Sequence, residues 1–265
     1  MVESQEMRSF LKLVIALVLS TSSVLAQKST PVSDSELAEI TARGRMLAEY
    51  DDASWRATDA VKALKPQEGA VSKYVARKTD AGWVVEFGRL NETKDAFLIV
   101  YEAAQGSGSQ QFTVKTYDPV RRDTEFFYAA VRAIETSLQN FHAEKRPYNT
   151  YVLPSGLNQM YVYILPAQTT TDVYPLGGDV RYLVSADGST IIETRQLHKS
   201  ILEAKSLTPD GKRPIAGYHT HVLSDVPEDT DVFHVLRKKP PVPEYVGTKN
   251  GIYIIQTDGT ITRGK

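Results

Sequence analysis

The spacing of apolar residues changes character several times along the chain. Leu37, Ile40, Leu47 and Tyr50 recur at intervals of roughly three to four behind Asp34 and Ser35, which predicts a capped helix. Trp55, Val61 and Leu64 predict a second, short helix from Asp51 to Leu64, with Pro66 beyond its end. From Ser72 the period shortens. Tyr74–Arg77, Trp83–Phe87 and Ala96–Ala103 read as strands separated by the turns "TDAG" and "NETKD", and "QFTVKTYD" reads as a fourth. Four such strands make an antiparallel meander that can bury one face against the preceding helices. The helical period returns in "DTEFFYAAVRAIETSLQNFHAEK", where Phe126, Ala129, Ala130, Ile134, Leu138 and Phe141 keep to one face.

Strands dominate afterwards. "YNTYVLP" and "QMYVYILPA" flank "SGLN", and "DVRYLVS" and "STIIETRQL" flank "ADG", which predicts two hairpins. "TTTDVYPLGG" is expected to be a loop ending in a glycine turn, and "HKSILEAKSL" a short helix. Ile215–His219 is a short strand. "VPEDTDVFHVLRKKPP" carries acidic residues at its start, Arg237, Lys238 and Lys239 at its end and two prolines beyond, the charge order that suits a helix dipole. "PEYVGT", "GIYIIQT" and "TITR" close the chain as strands. The class is α+β, with an N-terminal region over 27–120 (helices and meander) and a second region over 121–265.

Composition narrows the function. A net charge of −1 without a basic block excludes nucleic acid as an expected partner. Before the first helix, Arg8 and Lys12 precede an apolar run from Leu13 to Leu19, and Val24 and Ala26 stand at −3 and −1 of a cleavage point before Gln27. This is the pattern of a secretory signal peptide over 1–26, so the protein is expected to be exported to a bacterial periplasm or beyond, with no transmembrane segment after cleavage. The chain has no cysteine. A thiol nucleophile and Cys-based zinc sites are thereby excluded, and any metal must be held by histidine and carboxylate.

Three of the five histidines lie in "AGYHTHVLSDVPEDTDVFHVL". Side chains alternate along a strand, so His219 and His221 share a face, about 7 Å apart along the chain, and both can lean onto one ion. Asp231 lies in the first turn of the helix that follows, where it can turn back as a third ligand or act as a helix cap, a role equally open to Asp229 and Thr230. Asp225 is a turn residue, His234 a half-buried helix residue and His142 a helix-terminal one.

"GYHTHVLSDVPEDTD" resembles the JAB/MPN metallopeptidase motif, known as JAMM, in which a strand ending in His-x-His is followed at a short interval by Asp at a helix start. The resemblance covers roughly the second half of the chain and implies a JAMM-like mixed sheet flanked by helices. It further implies zinc on His219, His221 and Asp231 and hydrolysis of an amide or isopeptide bond. Three departures stand out. Val222 replaces the usual proline. The interval to Asp231 is one residue short of the commonest form. Glu228 occupies the position of a serine that stabilises an oxyanion, where a carboxylate would repel one unless protonated. The general base that the family supplies as glutamate is represented by Glu144 or Glu193, since Asn149 holds the best-aligned position. Two expectations follow from the whole: an exported zinc metallohydrolase acting on a cell-envelope peptide or protein, or a non-catalytic binding protein with a structural or vestigial metal site.

Overall fold

The computed structural model describes residues 32–106, 110–142 and 144–264. The expected signal peptide lies outside the described residues. The described chain is α+β, with three helices and four sheets.

Helix α1 (Asp34–Ala63) is one unbroken element. The two helices expected from the sequence are a single one, because "EYDDAS" contains neither proline nor glycine to stop it. Ser33 caps it by accepting a hydrogen bond from the Glu36 N–H. At 30 residues it is about 45 Å long, and this length lets it serve two cores. Leu37 and Ile40 pack with the C-terminal elements, while Leu47, Tyr50, Ala53, Ala57 and Val61 pack on the meander.

The meander forms as expected: β1 (Lys73–Thr79), β2 (Gly82–Leu90), β3 (Phe97–Gln105) and β4 (Phe112–Asp123) pair antiparallel in chain order. Position 120, the expected boundary between regions, falls inside β4. Helix α2 (Phe126–Asn140) buries Ala130, Val131, Ala133 and Ile134 between the meander and a second sheet; of the expected face Ala130 and Ile134 are buried, whereas Leu138 is exposed. That second sheet contains β5 (Tyr148–Ser155), β6 (Gln159–Pro166), β8 (Val180–Val184) and β9 (Ile191–Gln196), in the order β5-β6-β8-β9, all antiparallel. Both expected hairpins are present, one formed by β5 and β6, the other by β8 and β9.

Two expectations fail together. The segment after His198 forms a strand, β10 (Ile201–Lys205), and the expected loop before Asp179 forms its partner, β7 (Val173–Gly177). A ten-residue stretch such as "HKSILEAKSL" is too short to sustain a helix in water without tertiary support, and here pairing with β7 satisfies the backbone instead. The last sheet is mixed. β11 (Gly217–Thr220) lies parallel to β12 (Glu244–Thr248), and β13 (Gly251–Ile255) and β14 (Ile261–Arg263) continue it antiparallel. Helix α3 (Asp229–Arg237) supplies the crossover between β11 and β12 and buries Val232 and Val235 against Val246, Tyr253, Ile255 and Ile261. Its approach to α1 depends on Gly44, where a Cβ would stand 2.4 Å from that of Val232 and 2.6 Å from the Asp229 carbonyl oxygen. No described helix is long and apolar enough to cross a membrane.

Candidate metal centre

β11 delivers His219 from within the strand and His221 from the residue just past its end. Its odd-numbered side chains face inward, so His219 is 5% and His221 7% exposed while Thr220 between them is exposed. α3 delivers Asp231 from its first turn. The Asp231 carboxylate accepts a hydrogen bond from the Glu228 N–H (2.7 Å) and the Glu228 side chain accepts from the Asp231 N–H, a reciprocal capping box. Asp231 therefore both caps the helix and reaches the histidines; the two roles do not compete.

The structure adds a ligand that the sequence pattern did not suggest. His198, just beyond β9, joins His219, His221 and Asp231, and one potential ligand atom from each lies within 4.8 Å of the others. His198 and His219 each stand close to His221, with Nε2–Nε2 separations of 3.0 and 3.1 Å. Asp231 Oδ1 lies 3.0 Å from His198 Nε2 and 3.1 Å from His219 Nε2, and Oδ2 lies 3.1 Å from His221 Nε2.

His198 is seated by the glycine turn that looked featureless. Gly177 adopts φ +89°, and a Cβ there would fall 2.2 Å from the Ser200 carbonyl oxygen and 3.1 Å from the His198 Cβ. Only a glycine lets the two segments pass so closely in that conformation. Two residues on, the Asp179 carbonyl accepts the Leu197 N–H (3.0 Å) and its carboxylate lies 2.8 Å from His198 Nδ1.

Every imidazole is oriented from behind. His221 Nδ1 lies 2.8 Å from the Val226 carbonyl oxygen, which can only accept, so Nδ1 carries the hydrogen. His219 Nδ1–H donates to Glu244 (3.0 Å) and His198 Nδ1–H to Asp179. In the neutral ring each Nε2 then presents a lone pair inward, towards the others and towards Asp231. Asp231 Oδ1 is fully buried, with the Nε2 atoms of His198 and His219 beside it. Four converging acceptors, one of them anionic, repel one another unless a cation or protons stand among them. The residues fit a divalent metal. Donor atoms about 2.0–2.1 Å from zinc stand about 3.3 Å apart in a tetrahedron, close to the separations seen here.

The electrostatics agree. With protons as the only cations present, burial pulls His198 down, but Asp179 and Asp231 outweigh it and the ring rises to about 11. Burial likewise opposes protonation of His219, and hydrogen bonds to Asp231 and Glu244 lift it to about 9. Asp231 moves the other way: burial raises it, and the surrounding histidines hold it well below the ordinary carboxylate range. The cluster is built to retain positive charge.

The surroundings resolve one awkward feature. Glu228 is buried, which raises its pKa, yet its carboxylate meets the Arg195 guanidinium at 2.6 Å, so its charge is compensated. Asp229, the next residue, is held by Tyr163 (2.6 Å), Arg181 (2.8 Å) and Arg43 (2.9 Å), which bolt the start of α3 to β6, β8 and α1. His234 is buried with Nε2 unpartnered and, pushed down by burial, has a pKa of about 4; it lies outside the ligand set.

The two candidate bases stand elsewhere. Glu144 is an exposed residue of the segment after α2, and Glu193 is exposed on β9 opposite Leu183. Neither belongs to the ligand group. Asn149 lies on β5 and donates to the Tyr151 hydroxyl (3.4 Å), Asp225 pairs with Lys249 (3.6 Å), and His142 is exposed. His198 carried no motif. The only signal that could have found it is its place at the end of a predicted hairpin, near a glycine turn followed by an aspartate. No protein-family model, curated protein or solved structure matches the chain.

Proposed function

We propose that this chain is a zinc-binding protein whose metal is held by four side chains, His198, His219, His221 and Asp231, and serves to tie the fold together rather than to hydrolyse a substrate. The observation that carries this reading is the fourth ligand. Catalytic zinc sites keep three protein ligands and an open position, whereas structural sites are closed by four. Here a third imidazole, from beyond β9, joins the His219, His221 and Asp231 set that a JAMM-like site would use. The ligands come from three separated parts of the chain, so a bound ion would link β11, α3 and the segment after β9. His219 is backed by Glu244, His198 by Asp179 and His221 by Val226, which would hold the rings ready for the ion without rearrangement.

The JAMM-like hydrolase is the second reading, favoured by the His219, His221 and Asp231 set and by the Arg195–Glu228 pair beside it. A bound zinc ion would supply Lewis-acid polarisation of a carbonyl. Glu228, raised by burial and held against Asp231 by the capping box, would then be the side chain placed to hold a proton, in preference to the exposed Glu144 and Glu193. Arg195, partly exposed, would orient an anionic part of the substrate. A substrate would be an exported peptide or protein if the N-terminal leader directs secretion.

Elemental analysis of protein purified without chelators, together with X-ray absorption at the zinc edge, tests the first reading. One zinc per chain with three imidazoles and one carboxylate oxygen in its coordination sphere is the expected result. A site that contains zinc but lacks the third imidazole would favour the hydrolase, and a protein that neither carries nor takes up zinc would refute both.

A further inference from the structure

β11 forms one edge of the last sheet, with β12 on one side and no strand on the other among the described residues. The odd-numbered residues of this segment bond to β12: the Gly217 N–H donates to the Pro243 carbonyl (2.9 Å) and the His221 N–H to the Gly247 carbonyl (2.8 Å). In a parallel ladder the N–H and C=O of one residue point the same way. Tyr218 and Thr220 therefore turn theirs to the open side, and an unpaired row of donors and acceptors is a template for another strand.

Proteins commonly blunt such an edge with charged side chains or proline. The other described edge strands do so: Lys or Arg occurs in β1, β4, β9, β10 and β14, and Pro in β5 and β7. β11, Gly-Tyr-His-Thr, has neither, and its imidazole is buried on the inner face. No Lys, Arg, Asp or Glu occurs anywhere between Arg213 and Asp225. The surface along this edge is apolar instead. Ile215 is 92%, Tyr218 65% and Val222 66% exposed, and Leu223 and Tyr245 are exposed too. Tyr245 stands beside Tyr218 in the register of β11 and β12. Single exposed apolar residues need no explanation, but a run of them along an unprotected edge does.

We propose that β11 pairs antiparallel with β11 of a second copy of this chain, about a two-fold axis at His219. Only an extended backbone offers acceptors and donors at the spacing of Tyr218 and Thr220. A two-fold axis sets the edge against its own image, so an edge that pairs with itself must carry no net charge of one sign, and this one carries none. With the axis at His219, Tyr218 exchanges both backbone hydrogen bonds with the partner's Thr220, and Thr220 with the partner's Tyr218. Two four-stranded sheets then become one of eight. The exposed apolar side chains supply on the order of 500 Å² per chain, short of the ~800 Å² of a standard stable interface. The dimer is therefore reversible, with Kd on the order of 100 μM. The proposal does not rest on how the metal centre functions.

Sedimentation velocity of the full chain from about 5 μM to about 1 mM tests the proposal, with amide hydrogen exchange followed at both ends of that range. A rise from monomer to dimer is expected, together with slowed exchange at Tyr218 and Thr220 in the concentrated sample. Thr220→Lys sets two like charges diagonally across the axis, about 7–8 Å apart. Thr220 is exposed, so Tm should stay unchanged while the dimer Kd rises about tenfold or more. Thr262→Lys, exposed on β14 at the far edge of the same sheet, should leave association unaltered. A chain that stays monomeric throughout would overturn the proposal, and so would association undiminished in Thr220→Lys. Association lost in Thr262→Lys, without protection at Tyr218 and Thr220, would overturn the assignment to β11.

Discussion

Zinc added to the metal-free protein at neutral pH should expel protons, close to two for each ion bound. Each imidazole has its Nδ1–H committed outward to Asp179, Glu244 or Val226, so a metal can only replace a proton on Nε2. His198, at about 11, and His219, at about 9, both hold that proton at pH 7.5 in the metal-free state. Protons and zinc therefore compete. Apparent affinity should rise by up to about two orders of magnitude per pH unit from pH 6.5 towards 9, and by about one order per pH unit between 9 and 11. Folding stability of the metal-free protein follows the opposite sign. Both histidines have folded pKa values above the ordinary 6.5, so their contribution is fully present below that pH and is lost as pH rises through about 9 and then about 11. The loaded protein escapes this loss. At a free zinc concentration about a thousandfold above Kd the ion contributes about 4 kcal/mol, which for a domain of this size raises Tm by about 10 °C. Calorimetric titration of zinc in buffers of different ionisation enthalpy counts the protons directly, and thermal melts from pH 6.5 to 9 follow the stability. Zinc uptake without proton release would show that the Nε2 atoms are not the donors, and the geometric argument would fail.

Three further perturbations probe the supporting structure. Asp179→Asn keeps an acceptor for His198 Nδ1 but removes the charge behind it, and should lower zinc affinity by about 10–100-fold with little change in circular dichroism; unchanged affinity in a competition titration would argue that His198 is not a ligand. Gly44→Ala forces a methyl group against Val232 and the Asp229 carbonyl, and should cost about 1–3 kcal/mol in denaturant unfolding, because both contacts involve helix packing rather than flexible side-chain ends. Glu86, buried on β2 beside Arg121, is pushed up to about 7 by burial, which Arg121 only partly offsets. An acid raised on folding favours the folded state at low pH, so this group should cost on the order of 2 kcal/mol that develops as pH rises from about 4.5 to 7. Glu86→Gln should flatten the stability profile over that window, and an unaltered slope would show that Glu86 ionises normally.

What the sequence determined by itself was whatever depends on neighbours in the chain. The helical period of α2, the alternation of the meander and the turn residues of both hairpins are local, and the elements appear where they were expected, although the buried face of α2 takes in Val131, Ala133 and Ser137 and leaves Leu138 exposed. The pairing of His219 with His221 and the placing of Asp231 in a first helical turn are local too, so three of the four ligands were legible. Tertiary structure decided the rest. Residues 201–205 became a strand because β7 was available to pair with them, a partner some 25 residues away that no window reveals. His198 joined the candidate ligand group because Gly177 let its segment pass close and Asp179 turned its ring, while the other three members come from the end of β11 and from α3. Glu228 found a counter-ion at the helix start because Arg195, from another sheet, came to meet it. Ligands of one ion must converge within a few ångströms, and convergence is a property of the packed chain. The sequence could name residue types suited to a metal; only the fold could say that four of them meet rather than three.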